Sequence, residues 1–295
     1  MSLPPPIDAC ATDLTAAVRA VLDAPPDPGE LRVKADGIPF VARTWGDPAR
    51  PPLVLVHGIT SSSDTFWRIG PALAVGLDRF VVAPDQAAHG RTGGWTGKVS
   101  FRDNAGSIAA FIRAAGLDRH DLAVVGHSWG GMTVAELPAA GIRPAVLVLL
   151  DPPALPLAAI ASMLHDPVER HYDDLDEALR AIAGANLTWA AGDVLAKAAA
   201  LTEFDEPAVR AILTENGDWD GGLAGLRDPA AAGLAVRLVR GDPRSGGYVP
   251  DAAAEAIGAV IGEANVLTVA GGGHSPMRNR VEGTMVALLR ALDAG

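Results

Sequence analysis

The chain has 295 residues, 49% of them hydrophobic, and a formal net charge of −11. This length allows one large core or a core with an insertion, and the hydrophobic content argues against a disordered chain. The negative charge repels nucleic acid and anionic lipid, so we expect neither nucleic acid nor a membrane as a partner.

Cys10 is the only cysteine, which excludes an intrachain disulfide and a thiolate metal cluster. The start of the chain lacks a basic segment followed by an apolar one, and no apolar stretch approaches the roughly 18 residues needed to span a bilayer. We therefore expect a cytoplasmic protein, and the sequence leaves its oligomeric state open.

The first predicted elements are a helix and a hairpin. Residues 8–23 have apolar positions at helical spacing and end at a proline-rich linker, and residues 31–46 predict two strands around a tight turn. Four short runs of valine and leucine follow, separated by helical patterns, at 52–56, 79–83, 122–125 and 145–150. They are too uniformly apolar for a half-exposed sheet and predict parallel strands covered on both faces.

The alternation of strands and helices stops after the fourth run. Residues 154–230 predict helices alone, and strands resume at 234–241 and 265–271 before a closing helix. We therefore predict an α/β fold with a mostly parallel sheet and a helical insertion. The predicted units are an N-terminal helical extension (1–30), a core in two parts (31–153 and 231–295) and a helical lid (154–230).

Each apolar run ends at a polar or glycine-rich loop, at the edge of the sheet where ligands bind in such folds. Ser128 follows one strand in "GHSWGG", Asp151 and Asp242 follow later strands, and His274 follows the last strand in "GGGHS". A nucleophile, an acid and an imidazole thus reach one edge in the order Ser, Asp, His.

These residue types suit acyl transfer. A serine hydroxyl is a weak nucleophile and needs a base, which His274 can supply because an imidazole exchanges protons near neutral pH. A carboxylate would fix the tautomer of that ring. Gly126 and Gly130 allow the sharp turn that would present Ser128.

Charge that develops on the substrate oxygen needs donors already aimed at it. The backbone N–H of Trp129, at the start of its helix, is one candidate for the oxyanion hole. Ile59 in "HGIT" is the other, with Gly58 permitting a close approach to the nucleophile.

Together these motifs resemble those of the α/β-hydrolase family over roughly residues 31–295. The segment 126–130 matches the G-x-S-x-G nucleophile elbow, His57-Gly58 matches the oxyanion loop, and Gly273-His274 matches the loop of the catalytic histidine. Residues 85–92, "DQAAHGRT", are similar to the family's D-x-x-G-x-G-x-S loop, except that Ala88 stands where glycine is usual. The resemblance implies the α/β-hydrolase fold, with His57, Gly58, Gly126 and Gly130 supporting the elbow and the oxyanion loop.

The acid has two candidates. Asp242 follows the strand before the one that leads to His274, which is the family's commonest acid position, although the usual Gly-x-x-Asp spacing is missing because Arg244 stands three residues after Gly241. Asp151 occupies the other position that some members use. We predict Asp242 as the acid, with Asp151 as the alternative.

The predicted function is that of a carboxylesterase-like serine hydrolase without cofactor or metal, acting on a small-molecule substrate. It would cleave an ester, thioester or related acyl bond of a small to medium hydrophobic compound through an acyl-Ser128 intermediate. Alternatives are carbon–carbon bond hydrolysis or perhydrolysis on the same fold, or a small-molecule receptor that keeps the triad. We expect apolar residues of the lid to line the substrate pocket, namely Leu157, Ile160, Met163, Leu187 and Trp189.

Overall fold

The fold is organised around one eight-stranded sheet. The structure is a computed structural model that describes residues 3–94, 97 and 99–293. Its strands run in the spatial order β1-β2-β4-β3-β5-β6-β7-β8. They are β1 (Gly29–Ala35), β2 (Ile38–Trp45), β3 (Pro52–Val56), β4 (Phe80–Pro84), β5 (Ala123–His127), β6 (Val146–Leu150), β7 (Ala235–Gly241) and β8 (Val266–Val269).

All strand pairs from β4 to β8 are parallel, and β2 runs antiparallel to both of its neighbours. The β1–β2 hairpin turns at Asp36 and Gly37, whose φ angles of 48° and 83° suit a two-residue turn. Every residue of β3, β5 and β6 is buried. The prediction of parallel strands covered on both faces is therefore confirmed.

Helices cover the sheet on both sides and also fill the segment between β6 and β7. They are α1 (Ala16–Asp23), α2 (Ile69–Leu77), α3 (Phe101–Ala114), α4 (Trp129–Ala135), α5 (Leu157–Ser162), α6 (Leu175–Ala185), α7 (Ala191–Ala200), α8 (Glu206–Glu215), α9 (Leu223–Leu226), α10 (Asp251–Ile261), α11 (Pro276–Asn279) and α12 (Val281–Leu292).

Alternate residues of the strands feed two separate apolar cores. Leu53 and Leu55 of β3 pack with α1, α2 and α12 on one face of the sheet. Val54 and Val56 pack with α3, α4 and α10 on the other. Because successive side chains of a strand point to opposite faces, a run of apolar residues supplies both layers.

The predicted N-terminal helix is shorter than expected. Ile7 instead pairs with the last strand, donating its N–H to Thr268 O at 2.7 Å, and α1 begins only after Thr15. The hydroxyl of Thr15 accepts a hydrogen bond from Val18 N at 3.3 Å and caps the helix. This cap explains the later start.

Helices α5 to α9 lie between β6 and β7 and surround a third apolar cluster. Its members include Ile182, Leu213 and Trp219 from this segment and Trp129 and Met132 from α4. The segment therefore packs directly over the helix that follows β5. No helix among the described residues is both long enough and apolar enough to cross a bilayer.

Candidate active site

Ser128 lies at the sharp turn between β5 and α4, with φ 56° and ψ −126°. Such a backbone is strained for a residue with a Cβ atom and is found mostly at functional sites. The turn is possible because its neighbours are glycines: a Cβ on Gly126 would lie 2.5 Å from Val134 Cγ2, and one on Gly130 would lie 2.5 Å from His57 O. Glycine at both positions is thus what the sequence interpretation of this turn requires.

Ser128, His274 and Asp151 form one chain of hydrogen bonds. Ser128 Oγ donates to His274 Nε2 at 2.8 Å, and His274 Nδ1 donates to Asp151 Oδ2 at 2.8 Å. The carboxylate thereby fixes the tautomer that leaves Nε2 free to accept the serine proton.

Asp151 is held by backbone N–H groups at the end of β7 and in the segment that follows it. It is 0% exposed, its Oδ1 accepts from Gly241 N at 2.9 Å, and its Oδ2 also accepts from Tyr248 N at 2.9 Å. Three donors therefore satisfy a fully buried carboxylate, as burial of a charge requires.

The prediction that Asp242 contacts His274 is wrong. Asp242 Oδ1 accepts from Arg244 N at 2.9 Å and caps the short turn that follows β7. Because β6 lies between β5 and β7, the residue that follows β6 lies nearer to Ser128 in the sheet. The end of β7 and the segment after it supply the N–H groups that hold the acid and do not supply the acid itself.

Two further side chains hold His274, one at its ring and one at its backbone. Tyr248 stacks on it with 3.7 Å between ring centroids and 16° between ring planes. His127 Nε2 donates to His274 O at 2.9 Å. Burial, together with the charge of His274, lowers the pKa of His127 well below its ordinary value, so this neighbour stays neutral.

The segment after β3 passes directly beside the nucleophile. A Cβ on Gly58 would lie 2.8 Å from Ser128 Cβ, so only glycine permits this approach. His57 fixes the segment, because its Nδ1 donates to Gly58 O at 2.8 Å and its Nε2 accepts from Gln86 N at 2.9 Å. Ile59 follows at the cavity wall.

Lys197 connects the helical segment to this same loop. Its Nζ donates to Thr60 O at 2.9 Å, to Thr60 Oγ1 at 3.0 Å and to Glu169 Oε2 at 2.6 Å. Burial lowers the pKa of Lys197, and the charge of Glu169 opposes that shift. All three donors of the ammonium group are thus occupied.

Residues 85–92 form a tight loop organised by Asp85. Its carboxylate accepts from Ser63 N at 2.7 Å and from Arg91 N at 3.0 Å, and a Cβ on Gly90 would lie 2.7 Å from Asp85 Oδ2. Ala88 has φ 67°, the left-handed conformation that favours glycine. The departure at Ala88 therefore leaves the backbone in a glycine-like conformation.

A cavity of about 200 Å³ opens over Ser128 and His274. Its apolar wall contains Met163, Leu164, Val209, Leu213 and Trp219, and its charged wall contains Asp166, Glu169, Arg170, Lys197, Glu206, Arg210 and Arg278. In the described part of the chain, no three His, Cys, Asp or Glu side chains are grouped to hold a metal ion.

Of the five predicted pocket residues, Met163 lines this cavity. Leu187 is 87% exposed, so its prediction is wrong, and Ile160 is buried in the third apolar cluster. Leu157 is the first residue of α5, and its N–H donates to Asp218 Oδ1 at 2.6 Å. It does not line the cavity. Trp189 lies behind the wall, where its ring faces Arg278.

Lys197, Tyr248 and Arg278 lie at the site but were not predicted from the sequence. Lys197 did carry a signal, since it is one of three lysines in the chain and stands in the apolar stretch "VLAKAAA". Nothing in the sequence distinguished Arg278 from the other arginines.

Comparison with known proteins agrees with this geometry. A model of the alpha/beta hydrolase family matches residues 53–285, so the chain belongs to that family, and the resemblance predicted from the sequence is confirmed. A 109-residue segment is 36% identical to lipase LipV of Mycobacterium tuberculosis and spans 36% of this chain and 39% of that lipase.

Solved structures show the same fold. E-2-(acetamidomethylene)succinate hydrolase superposes with a TM-score of 0.75 at 23% identity, covering 90% of this chain and 100% of that one. Esterase RhEst1 from Rhodococcus superposes with a TM-score of 0.68 at 21% identity, covering 91% of this chain and 99% of that one. The family assignment rests on the family model, and the solved structures add that the fold is shared.

Proposed function

We propose that the protein is a serine hydrolase that cleaves an ester, thioester or related acyl bond through an acyl-Ser128 intermediate. The observation that carries the proposal is the hydrogen-bonded chain in which His274 lies 2.8 Å from Ser128 Oγ and 2.8 Å from Asp151 Oδ2. This is the arrangement that activates a serine hydroxyl.

In the first half of the reaction, Ser128 Oγ attacks the carbonyl carbon while His274 Nε2 takes the hydroxyl proton. The N–H groups of Ile59 and Trp129 are the proposed donors to the oxyanion. His274 then gives its proton to the departing alkoxide or thiolate, and the acyl group remains on Ser128.

In the second half, water attacks the acyl-enzyme and loses a proton to His274 Nε2. Collapse of the second tetrahedral intermediate releases a carboxylic acid, and the proton returns to Ser128 Oγ. Asp151 stabilises the imidazolium in both halves through its bond to Nδ1.

We propose that helices α5 to α9 act as the lid. Met163, Leu164, Val209 and Leu213, all from this segment, supply the apolar wall of the cavity. A cavity of about 200 Å³ suits a small acyl group, held by this wall over Ser128.

The proposal is tested with a fluorophosphonate and a series of short-chain esters. The reagent should add one phosphonyl group to Ser128, read by intact mass and peptide mapping, and Ser128→Ala should lose the label and several orders of magnitude in kcat. Ester binding without turnover would instead indicate a receptor. Turnover retained by Ser128→Ala would contradict the assignment.

A further inference from the structure

Arg278 is a buried arginine in the wall of the candidate active site. It lies in α11, four residues after His274, and is only 6% exposed. Its side chain lines the same cavity as Ser128 and His274. The proposed reaction does not use it.

The hydrogen-bonding capacity of this guanidinium is largely unused. Nη2 donates to Thr65 Oγ1 at 2.8 Å, whereas Nε is buried without a partner. One face of the group is covered by the ring of Trp189, 4.5 Å from the ring centroid. Within the described chain no carboxylate forms an ion pair with it, although a buried charge is costly unless it is paired.

The two carboxylates whose charges act on Arg278, those of Asp193 and Glu169, form no hydrogen bond with it. Glu169 is paired with Lys197 at 2.6 Å. Asp193 Oδ1 accepts from Trp67 Nε1 at 2.9 Å, and burial raises the pKa of Asp193, which weakens its tendency to carry a charge. Both carboxylates act on Arg278 only at longer range.

We infer that Arg278 binds a carboxylate group of the substrate, so that the substrates are acyl compounds with a free carboxylate. This inference rests on the proposed function. The planar fork of an arginine fits a carboxylate in two parallel hydrogen bonds. Asp166 and Glu169 also line the cavity, and they oppose a doubly charged phosphate more strongly than a singly charged carboxylate.

The shape of the cavity defines the substrate class further. Met163, Val209 and Leu213 offer an apolar wall for a short methylene chain between the scissile carbonyl and the carboxylate. Half-esters and half-thioesters of short dicarboxylic acids meet both requirements. The predicted hydrophobic substrate thus becomes an amphipathic one.

The test compares two esters that differ only at the end of the acyl chain. Monoethyl glutarate carries a carboxylate where ethyl valerate carries a methyl group, and acid release from both is followed in a pH-stat. A hydrogen bond between charged groups changes binding by about 10- to 100-fold, so the wild-type ratio of kcat/KM should favour the glutarate ester by that factor. Equal rates, or a preference for valerate, would overturn the inference.

Variants assign the preference to one residue. Arg278→Met should abolish it, and Arg278→Lys should keep part of it, because lysine retains the charge but not the fork. Arg210→Met, at an exposed arginine of the same cavity, should change the ratio less than about threefold, because exposed charges are screened. The ratio of kcat/KM for the two esters does not depend on the fraction of enzyme that is folded. If Arg278→Met does not fold, the ratio measured with Arg278→Lys tests the inference.

A purely structural role makes a different prediction. If Arg278 served only to balance Asp193, then Arg278→Met and Asp193→Asn would lower the Tm alike and leave the ester ratio unchanged.

Free glutarate separates this inference from the proposed function. In the Ser128→Ala background it should raise the Tm, and Arg278→Met should remove that shift. If neither ester is hydrolysed, the proposed function is contradicted. The rise in Tm with glutarate still tests whether Arg278 binds a carboxylate. No shift in the Arg278-containing protein overturns the carboxylate site, even if valerate is cleaved.

Discussion

The carboxyl edge of the sheet and the helical segment that covers it stabilise their functional groups differently. At the edge, hydrogen bonds fix the side chains, and both Ser128 and Asp151 have positive φ angles, 56° and 44°. Such strain costs about 1–3 kcal/mol per residue and persists only where the surroundings fix the backbone. The covering segment relies on apolar packing around residues such as Ile182 and Trp219. The edge therefore fixes the geometry of the reaction, while the covering helices shape the pocket.

Specific polar contacts join the two regions. Lys197 donates to Thr60 O, Trp67 Nε1 donates to Asp193 Oδ1, and Asp205 N donates to Ala88 O at 2.9 Å. Each reaches a loop that follows a strand. Changes at the edge should therefore affect the chemical step most, and changes in the covering helices should affect selectivity.

The largest effect is expected at the acid. Asp151→Asn preserves shape but favours the wrong tautomer of His274, which lowers kcat by about 10⁴-fold in a comparable triad. Asp242→Asn keeps an oxygen that can accept from Arg244 N and does not touch the His274 ring, so it should lower kcat less than about tenfold. Ester hydrolysis at saturating substrate measures both.

Circular dichroism must show that the Asp151→Asn protein is folded, because the carboxylate also binds Gly241 N and Tyr248 N. Comparable losses in both variants would mean that the observed hydrogen bond does not identify the acid.

The next effect concerns the connection between the regions. Lys197→Met removes three hydrogen bonds, two of them to Thr60, which follows the proposed oxyanion donor Ile59. Loss of an oxyanion donor lowers kcat by about 10²–10³-fold, and displacement of one should cost less, about 10- to 100-fold, with little change in KM.

Glu169→Gln is the matched control, because it leaves the bonds between Lys197 and Thr60 in place. It should retain most of kcat. A rise in KM at constant kcat for Lys197→Met would show that Lys197 contacts substrate and does not position the loop.

Much of the edge was predictable from the sequence, because strand ends and glycine spacing are local signals. Ser128 and His274 follow apolar runs, and "GHSWGG" predicts the turn that the structure shows. The acid was mispredicted because its choice depends on the lateral order of the strands. Asp151 and Asp242 both follow strands, and only the placement of β6 beside β5 distinguishes them.

The pocket was predicted poorly for a related reason. Helical periodicity identifies which residues are apolar, but the packing of α5 to α9 decides which of them face the cavity. Leu187 and Met163 are both apolar residues of the predicted lid, yet Leu187 is exposed to solvent and Met163 lines the cavity. Tertiary contacts, which a single sequence does not contain, make that distinction.

Acid should destabilise the edge. Burial lowers the pKa of His89 to about 3, so the folded protein keeps this ring neutral while the unfolded chain binds a proton below about pH 6.5. Stability is therefore lost as pH falls from about 6.5 towards 3. The loss from this residue between pH 7 and pH 5 should be about 2 kcal/mol.

Urea unfolding at pH 7 and pH 5 measures the loss of unfolding free energy. In His89→Gln this loss should be smaller by about 2 kcal/mol. The exposed His165, replaced by glutamine, should leave the pH dependence unchanged. An unaltered slope in His89→Gln would show that the ring takes up its proton over the same pH range in the folded and unfolded chains.

The smallest effect separates the inner wall of the covering helices from their outer surface. Met163→Ala enlarges the cavity, so the kcat/KM ratio of hexanoate to butyrate esters should rise about 5- to 10-fold, since one methylene in an apolar pocket is worth roughly 1–3 kcal/mol. Leu187→Ala alters a side chain that is 87% exposed and should change the ratio less than about twofold. Both variants should retain the wild-type reaction with the fluorophosphonate, because neither side chain takes part in the hydrogen bonds that join Ser128, His274 and Asp151. A larger change from Leu187 than from Met163 would mean that the covering helices rearrange when substrate binds, so that the exposed leucine turns inward.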